Sequence, residues 1–269
     1  MRLKIGAGIV LVAALAAILG PMVTPFDPAA QDLPLRLAGP GGGHLFGLDE
    51  LGRDVLARVL AGARISFLVG VTVVAVSAAV GTLMGAMAGY FGGLIDDLIS
   101  RIIDTLMAFP GLLLAIALVA VMGPSLVNVL FALTIIGWVG YARLVRGQVL
   151  RARELDYVQA ARALGAATPR VLFRHVAPAA LPAVVVQATL GMAGAVIGEA
   201  ALSFLGLGVQ PPTPSWGTML SGGRAHLLDA PHLTLFPGIA MAVLVLGFNF
   251  LGDGLRDMVD PKKQLRPAS

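Results

Sequence analysis

The chain has 269 residues, of which 57% are hydrophobic and only 13% charged, with a mean hydropathy of +0.88. A water-soluble domain is usually about 45–50% apolar and about 25% charged, so this composition is that of an integral membrane protein. The chain lacks cysteine, which excludes disulfides, zinc thiolates and thiol nucleophiles, and its net charge of +4 is gathered in particular loops, a pattern of membrane topology rather than of nucleic-acid binding.

Residues 5–23 carry no charge and are long enough to cross a bilayer, which takes about 20 residues. Ala14-Leu15-Ala16 resembles a signal-peptide cleavage site. The apolar run continues past it, whereas a signal core is about 7–15 residues, so a retained anchor is expected. Residues 24–64 are polar and rich in proline and glycine. They are expected to form an external loop ending in a short amphipathic helix through Val55, Leu56, Val59 and Leu60. Gly52-Arg53-Asp54 stands just before that helix, where the residues alone require no more than a capped helix end at the membrane rim.

Residues 65–89 form the second expected span. Gly81, Gly85 and Gly89 recur every four residues and lay a flat strip along one face, which in lipid lets helices pack closely. Asp96, Asp97, Arg101 and Asp104 precede an uncharged run over 105–142 that is too long for one span. Gly123-Pro124 divides it into a third and a fourth span, and Pro110 either kinks or begins the third. Trp138 and Tyr141 suit a membrane interface at the end of the fourth. Arg143, Arg146, Arg151 and Arg153 follow at once.

Residues 156–178, DYVQAARALGAATPRVLFRHVAP, are a polar island between long apolar runs. Tyr157, Ala160, Ala161 and Leu164 fall on one helix face, with Asp156 as the expected cap and Gln159 as its capping-box partner. Gly165 is an expected stop. Thr168-Pro169 reads as the cap and first residue of a second helix, and Pro178 as its end. The fifth span, about 181–207, contains Glu199 and the pair Gly194 and Gly198. An acid inside a membrane segment is costly and therefore a candidate functional group. It can serve as a proton or cation site, or as a structural acid bonded to a neighbouring helix. Residues 209–231 form a proline-rich external loop in which Trp216 is expected to anchor at the interface. A sixth span over 233–252 leads to a tail with Arg256, Lys262, Lys263 and Arg266.

Six spans place both termini on one side. With the termini inside, fourteen of the nineteen Lys and Arg residues lie inside and five outside, which assigns the termini and the 156–178 segment to the cytoplasm. Enzyme chemistry finds no support. None of Lys4, Lys262 and Lys263 follows a glycine, so a phosphate-binding P-loop is absent. The four histidines, His44, His175, His226 and His232, show no metal-ligand spacing.

Ala160-Ala161, Gly165, Arg174-His175 and Pro178 resemble the coupling loop of ABC-importer permeases. FGLDELGRDVLARVLAGARIS around Gly52-Arg53-Asp54, RIIDTLMAFPGLLLAIAL, the stretch from Glu199 to Gly208, PPTPSWGTML and NFLGDGLRDMVDPKKQLR are similar to the dipeptide, oligopeptide and nickel branch of that family. The resemblance covers nearly the whole chain and implies an all-α fold of six transmembrane helices. In it residues 1–64 form an anchor and external loop, and 65–269 a permease core. It further implies that Asp156, Tyr157, Gln159, Ala160, Ala161, Leu164, Gly165, Arg174, His175 and Pro178 dock onto a cytoplasmic ATPase. The implied partners are a second homologous permease, two ATPase subunits that use ATP in place of any cofactor in this chain, an external binding protein and membrane lipid. The family's usual Glu is Gln159 here, and the Asn after its His-x-x-Pro is Ala179. Gln159 keeps a hydrogen bond but loses its charge-assisted part, so docking is expected to rest on shape. Peptides and nickel chelates both remain open as cargo. The rival from another class is an ion-coupled carrier working through Glu199.

Overall fold

The structure, a computed structural model, describes residues 1–259. The tail cations Lys262, Lys263 and Arg266 lie outside them. Among the described residues there is no strand, and ten α-helices carry the fold. Helix α1 is Arg2–Val23, α2 is Val55–Phe91, α3 is Gly93–Met107, α4 is Gly111–Met122 and α5 is Leu126–Ala152. Then come α6, Asp156–Ala163, and α7, Thr168–Arg170. A π turn, Val171–Val176, and a 3-10 turn, Ala177–Ala180, lead into α8, Leu181–Phe204. Helices α9, Trp216–Gly223, and α10, His232–Val259, complete the order.

Five stretches are long and apolar enough to cross a membrane: Arg2–Gly20, Val55–Phe91, Leu126–Ala152, Thr168–Phe204 and His232–Met258. The expected third span is instead a bent pair, α3 and α4, whose axes meet at 85°. Pro110 has extended backbone geometry and begins α4. Proline also disfavours helical geometry in the residue before it, so the break falls there. The expected short helix before residue 65 and the second span are one continuous helix, α2. The boundary expected at residue 64 therefore falls inside that helix.

Close approach of backbones organises the bundle. A Cβ at Gly81 would stand 2.5 Å from the Trp138 carbonyl oxygen, and one at Gly85 or Gly89 would collide with the backbone of α5 at Ala142 or Arg146. The glycine strip of α2 is thus the seat of α5. In lipid, where hydrophobic burial does not favour one helix pairing over another, such contact is a main source of helix association. Gly194 and Gly198 behave differently. Space at Gly194 is open, Gly198 meets only the Leu133 side chain, and no helix backbone seats on this pair.

Two aromatic expectations are corrected. Helix α5 runs well past Trp138 and Tyr141 to Ala152, so these residues do not end the helix. Tyr141 is buried, with its hydroxyl toward the Gln187 carbonyl at 3.4 Å. Trp216 is also buried and donates its indole N–H to the Val59 carbonyl at 3.0 Å. It is a wedge between helices rather than an interfacial anchor.

Candidate functional site: the arginine-rich segment and the membrane cavity

Within helix α6 only Val158 is buried. Val158 is fully buried and packs in a cluster with Val149, Ala152, Val171, Leu172 and Val176. Tyr157, Ala160 and Leu164 face outward, Leu164 with 88% of its surface free. The helix ends in a Schellman motif: Ala166 N–H donates to the Ala161 carbonyl and Gly165 N–H to that of Arg162. Gly165 sits at φ +78° with open space where a Cβ would be. A side chain there would be strained by the backbone and would project into the space beside the exposed face.

The capping details differ from expectation. Asp156 is the first helical residue, Leu155 occupies the cap, and no side chain caps it. Gln159 reaches back to the Arg153 carbonyl at 3.0 Å, one turn further than a capping box would take it. Thr168 likewise lies inside α7, with Ala167 at the cap. Pro178 does not end the second helix. The chain stays helical from Thr168 to Phe204 by opening into the π turn and then tightening into the 3-10 turn that holds Pro178. Such adjustments absorb the hydrogen bond that proline cannot donate. Ala179 and Arg174 are exposed and His175 is half-buried.

Bonds tie this arginine-rich stretch to itself, to α2 and, through the end of α5, to α3. Tyr157 donates its hydroxyl to the His175 carbonyl at 3.1 Å. The Arg162 guanidinium lies over the Tyr90 ring at 5.0 Å, at the end of α2. Arg153 donates to the Gly89 carbonyl at 2.9 Å. Next to it Arg146 makes two bonds to Asp96 of α3, at 2.6 and 2.7 Å, and Arg143 bonds Asp104 at 2.7 Å. Asp96 is thus held by a bidentate pair with a residue fifty positions away.

Within the membrane a cavity of about 410 Å³ opens between α2, α4, α5 and α8. Its lining is mostly apolar and includes Gly111, Leu133, Ile136 and Gly194, with Ser77 and Gln187 as polar groups. The Ser77 hydroxyl is buried and has no hydrogen-bond partner. Glu199 does not line this cavity. Its side chain is fully buried and accepts a hydrogen bond from Ser203 at 2.5 Å.

At the opposite end of the bundle, the Gly52-Arg53-Asp54 motif is buried rather than at a surface rim. Asp49 accepts from Arg53 Nε at 2.7 Å and pairs with Arg58 at 3.3 Å. Asp54 caps α2 by accepting from Ala57 N–H at 2.7 Å, and its other oxygen bonds His44 at 2.8 Å. A Cβ at Gly52 would collide with the Asp32 backbone. Among the described residues no group of three His, Asp or Glu side chains is placed to hold a metal.

Residues 81–265 match the family described as binding-protein-dependent transport system inner membrane component. The chain belongs to that family. Residues 4–40 of this permease match a second model, the N-terminal TM domain of oligopeptide transport permease C. It is 48% identical over 259 residues to the glutathione transport system permease protein GsiD of Salmonella typhimurium, covering 96% of this chain and 86% of that protein. It is 46% identical over 248 residues to the dipeptide transport system permease protein DppC of Alkalihalophilus pseudofirmus, covering 92% and 82%. Among solved structures, the MetNI methionine ABC transporter in inward-facing conformations has the same fold. One crystal form gives a TM-score of 0.57 at 19% identity, covering 77% of this chain and 96% of that one. The permease is thus an all-α, multi-pass membrane subunit of an ABC importer. Its relatives are transport permeases rather than enzymes.

Proposed function

We propose that this permease carries dipeptides or other short peptides inward. It would work with a second homologous permease, two cytoplasmic ATPase subunits and an external binding protein. The peptide reading is supported by the two relatives named for glutathione and dipeptide transport. It also suits a largely apolar cavity with few polar groups, which gives a passage rather than a tight site. ATP is consumed by the partners.

The observation that carries the coupling role is the exposure of α6. Ala160 and Leu164 present an outward face, while Val158, Arg162 and the hydroxyl of Tyr157 fix the helix to α2 and to the segment that becomes α8. A helix held so firmly on one side and left bare on the other suits docking into a groove of the ATPase. The continuous path from Thr168 to Phe204 then leads from the docking site to a wall of the cavity. Gln159 is turned back on Arg153, which agrees with docking by shape.

We place both termini and the arginine-rich end in the cytoplasm, counting the bent α3–α4 pair as one crossing. Residues 1–64 serve as an anchor with its external segment, and the remainder as the permease core, the two sharing α2. The deciding experiment is purification of the tagged permease from mild detergent with identification of what accompanies it. An ATPase with a P-loop and a second permease are expected. A stable homo-oligomer without either would overturn the proposal.

A further inference from the structure

Glu199 is fully buried, five residues before the end of α8. Glu199 is not among the α8 residues that line the cavity, and at about 100° per residue it stands about 140° and about 160° around the helix from Gly194 and Ala201, which do. A carrier residue would have to meet the cargo path, and Glu199 does not.

What it meets is the segment that returns from α8 into the bundle. A chain of bonds runs from Val209 N–H to Ser203 Oγ at 3.2 Å, and from the Ser203 hydroxyl to Glu199 Oε1 at 2.5 Å. Glu199 Oε2 is buried and makes no bond, and Ser215 is also fully buried. Ser215 is the N-cap of α9, in a reciprocal capping box with Thr218. The start of α9 presses on α8 so closely that a Cβ at Gly217 would collide with the Ala200 carbonyl and stand 2.8 Å from the Ser203 Cβ. One residue away, Trp216 bonds the carbonyl of Val59 on α2.

We infer that Glu199 and Ser203 form a clasp, Glu199 holding the Ser203 hydroxyl and Ser203 holding the Val209 N–H, that fastens the segment leading to α9 onto α8, so that this end of the bundle moves with the cavity wall. The hydrogen bond to Ser203, not the charge, does the fastening. α8 continues without a break from the arginine-rich segment, so one helical path joins the proposed ATPase contact to the far end of the bundle. Glu199 is in this sense a positioning residue, and its link to transport rests on the function proposed above.

The chain has no cysteine, so a single one can report on the clasp. Met219 on α9 is only 8% exposed. In the assembled transporter in membranes, Met219→Cys should react slowly with a membrane-impermeant maleimide. Adding Glu199→Ala should speed labelling about tenfold, the ratio for loss of roughly one net hydrogen bond. Adding Glu199→Gln, which keeps shape and an acceptor oxygen, should leave labelling and ATP-driven dipeptide uptake at the parental level. Ser203→Ala, a smaller change, should also speed labelling and serves where Glu199→Ala reduces assembly. Unchanged labelling with Glu199→Ala and Ser203→Ala, or labelling with Glu199→Gln as fast as with Glu199→Ala, would overturn the clasp. Uptake by the parental protein that needs no ATP would instead overturn the importer reading and leave the labelling result standing.

Discussion

Asp49 shows how much one side chain carries. It accepts from the backbone N–H groups of Leu51 and Arg53, bonds the Arg53 side chain and pairs with Arg58. Both arginines are buried, and Asp49→Ala leaves Arg53 with Glu50 at 3.3 Å and Arg58 with the Pro28 carbonyl at 2.9 Å, so it should cost about 3–5 kcal/mol, the usual penalty for removing one partner of a buried pair. A lowered melting temperature and less protein in the membrane should follow, while Asp27→Ala, at an exposed residue, should do neither. Gly165 tests function without stability. A leucine there strains only its own backbone and touches nothing in the chain. Gly165→Leu should therefore insert normally and cost about 1–2 kcal/mol of local strain. It should nevertheless abolish uptake and ATPase recovery in purification, and normal uptake would sink the coupling role. At this scale the sequence was uneven. Gly165 as a helix stop was legible because a left-handed residue after an apolar face is a local signal. The partner of Asp96 was not, because a bond between residues fifty positions apart leaves no local trace, whereas the Asp49–Arg53 and Glu199–Ser203 pairs lie four residues apart and were open to a reading of local spacing.

At the scale of elements, two glycine pairs with the same spacing have opposite surroundings. Gly85 lies against the Ala142 backbone, whereas Gly194 opens onto the cavity. Gly85→Val should separate α2 from α5 and destabilise the fold by about 1–3 kcal/mol or more. Gly194→Val should leave the melting temperature nearly unchanged and narrow the cavity, lowering uptake. Measuring both in one series separates packing from passage. The spacing alone gives a flat strip and cannot say whether a helix or a void faces it, which is why both pairs read alike in the sequence. The span count was mostly legible, since length and apolarity are local sums. The bend between α3 and α4 was not, because Pro110 permits both a kink and a fresh start.

At the scale of the whole molecule, orientation is the open variable, and exposed leucines at the two ends can report it. Leu228 is fully exposed near the start of α10, and Leu164 stands free on α6. In intact cells an impermeant maleimide should label Leu228→Cys and leave Leu164→Cys untouched until the membrane is opened. The reverse pattern would overturn the charge-based topology. That topology rests on the number of cations in each loop, which folding does not alter.

The shortness of α4 has a consequence for the surrounding lipid. Twelve residues rise about 18 Å, while the hydrocarbon layer is about 30 Å thick. With α3 turned at 85° to it, α4 alone is about 12 Å shorter than that layer. Mismatch costs fractions of a kcal/mol per Å and is relieved by thinning the bilayer or by association. A lone copy therefore carries a penalty on the order of a few kcal/mol, which a neighbouring subunit covering α4 would remove. The bilayer itself thus favours the paired state, and the more so the thicker it is.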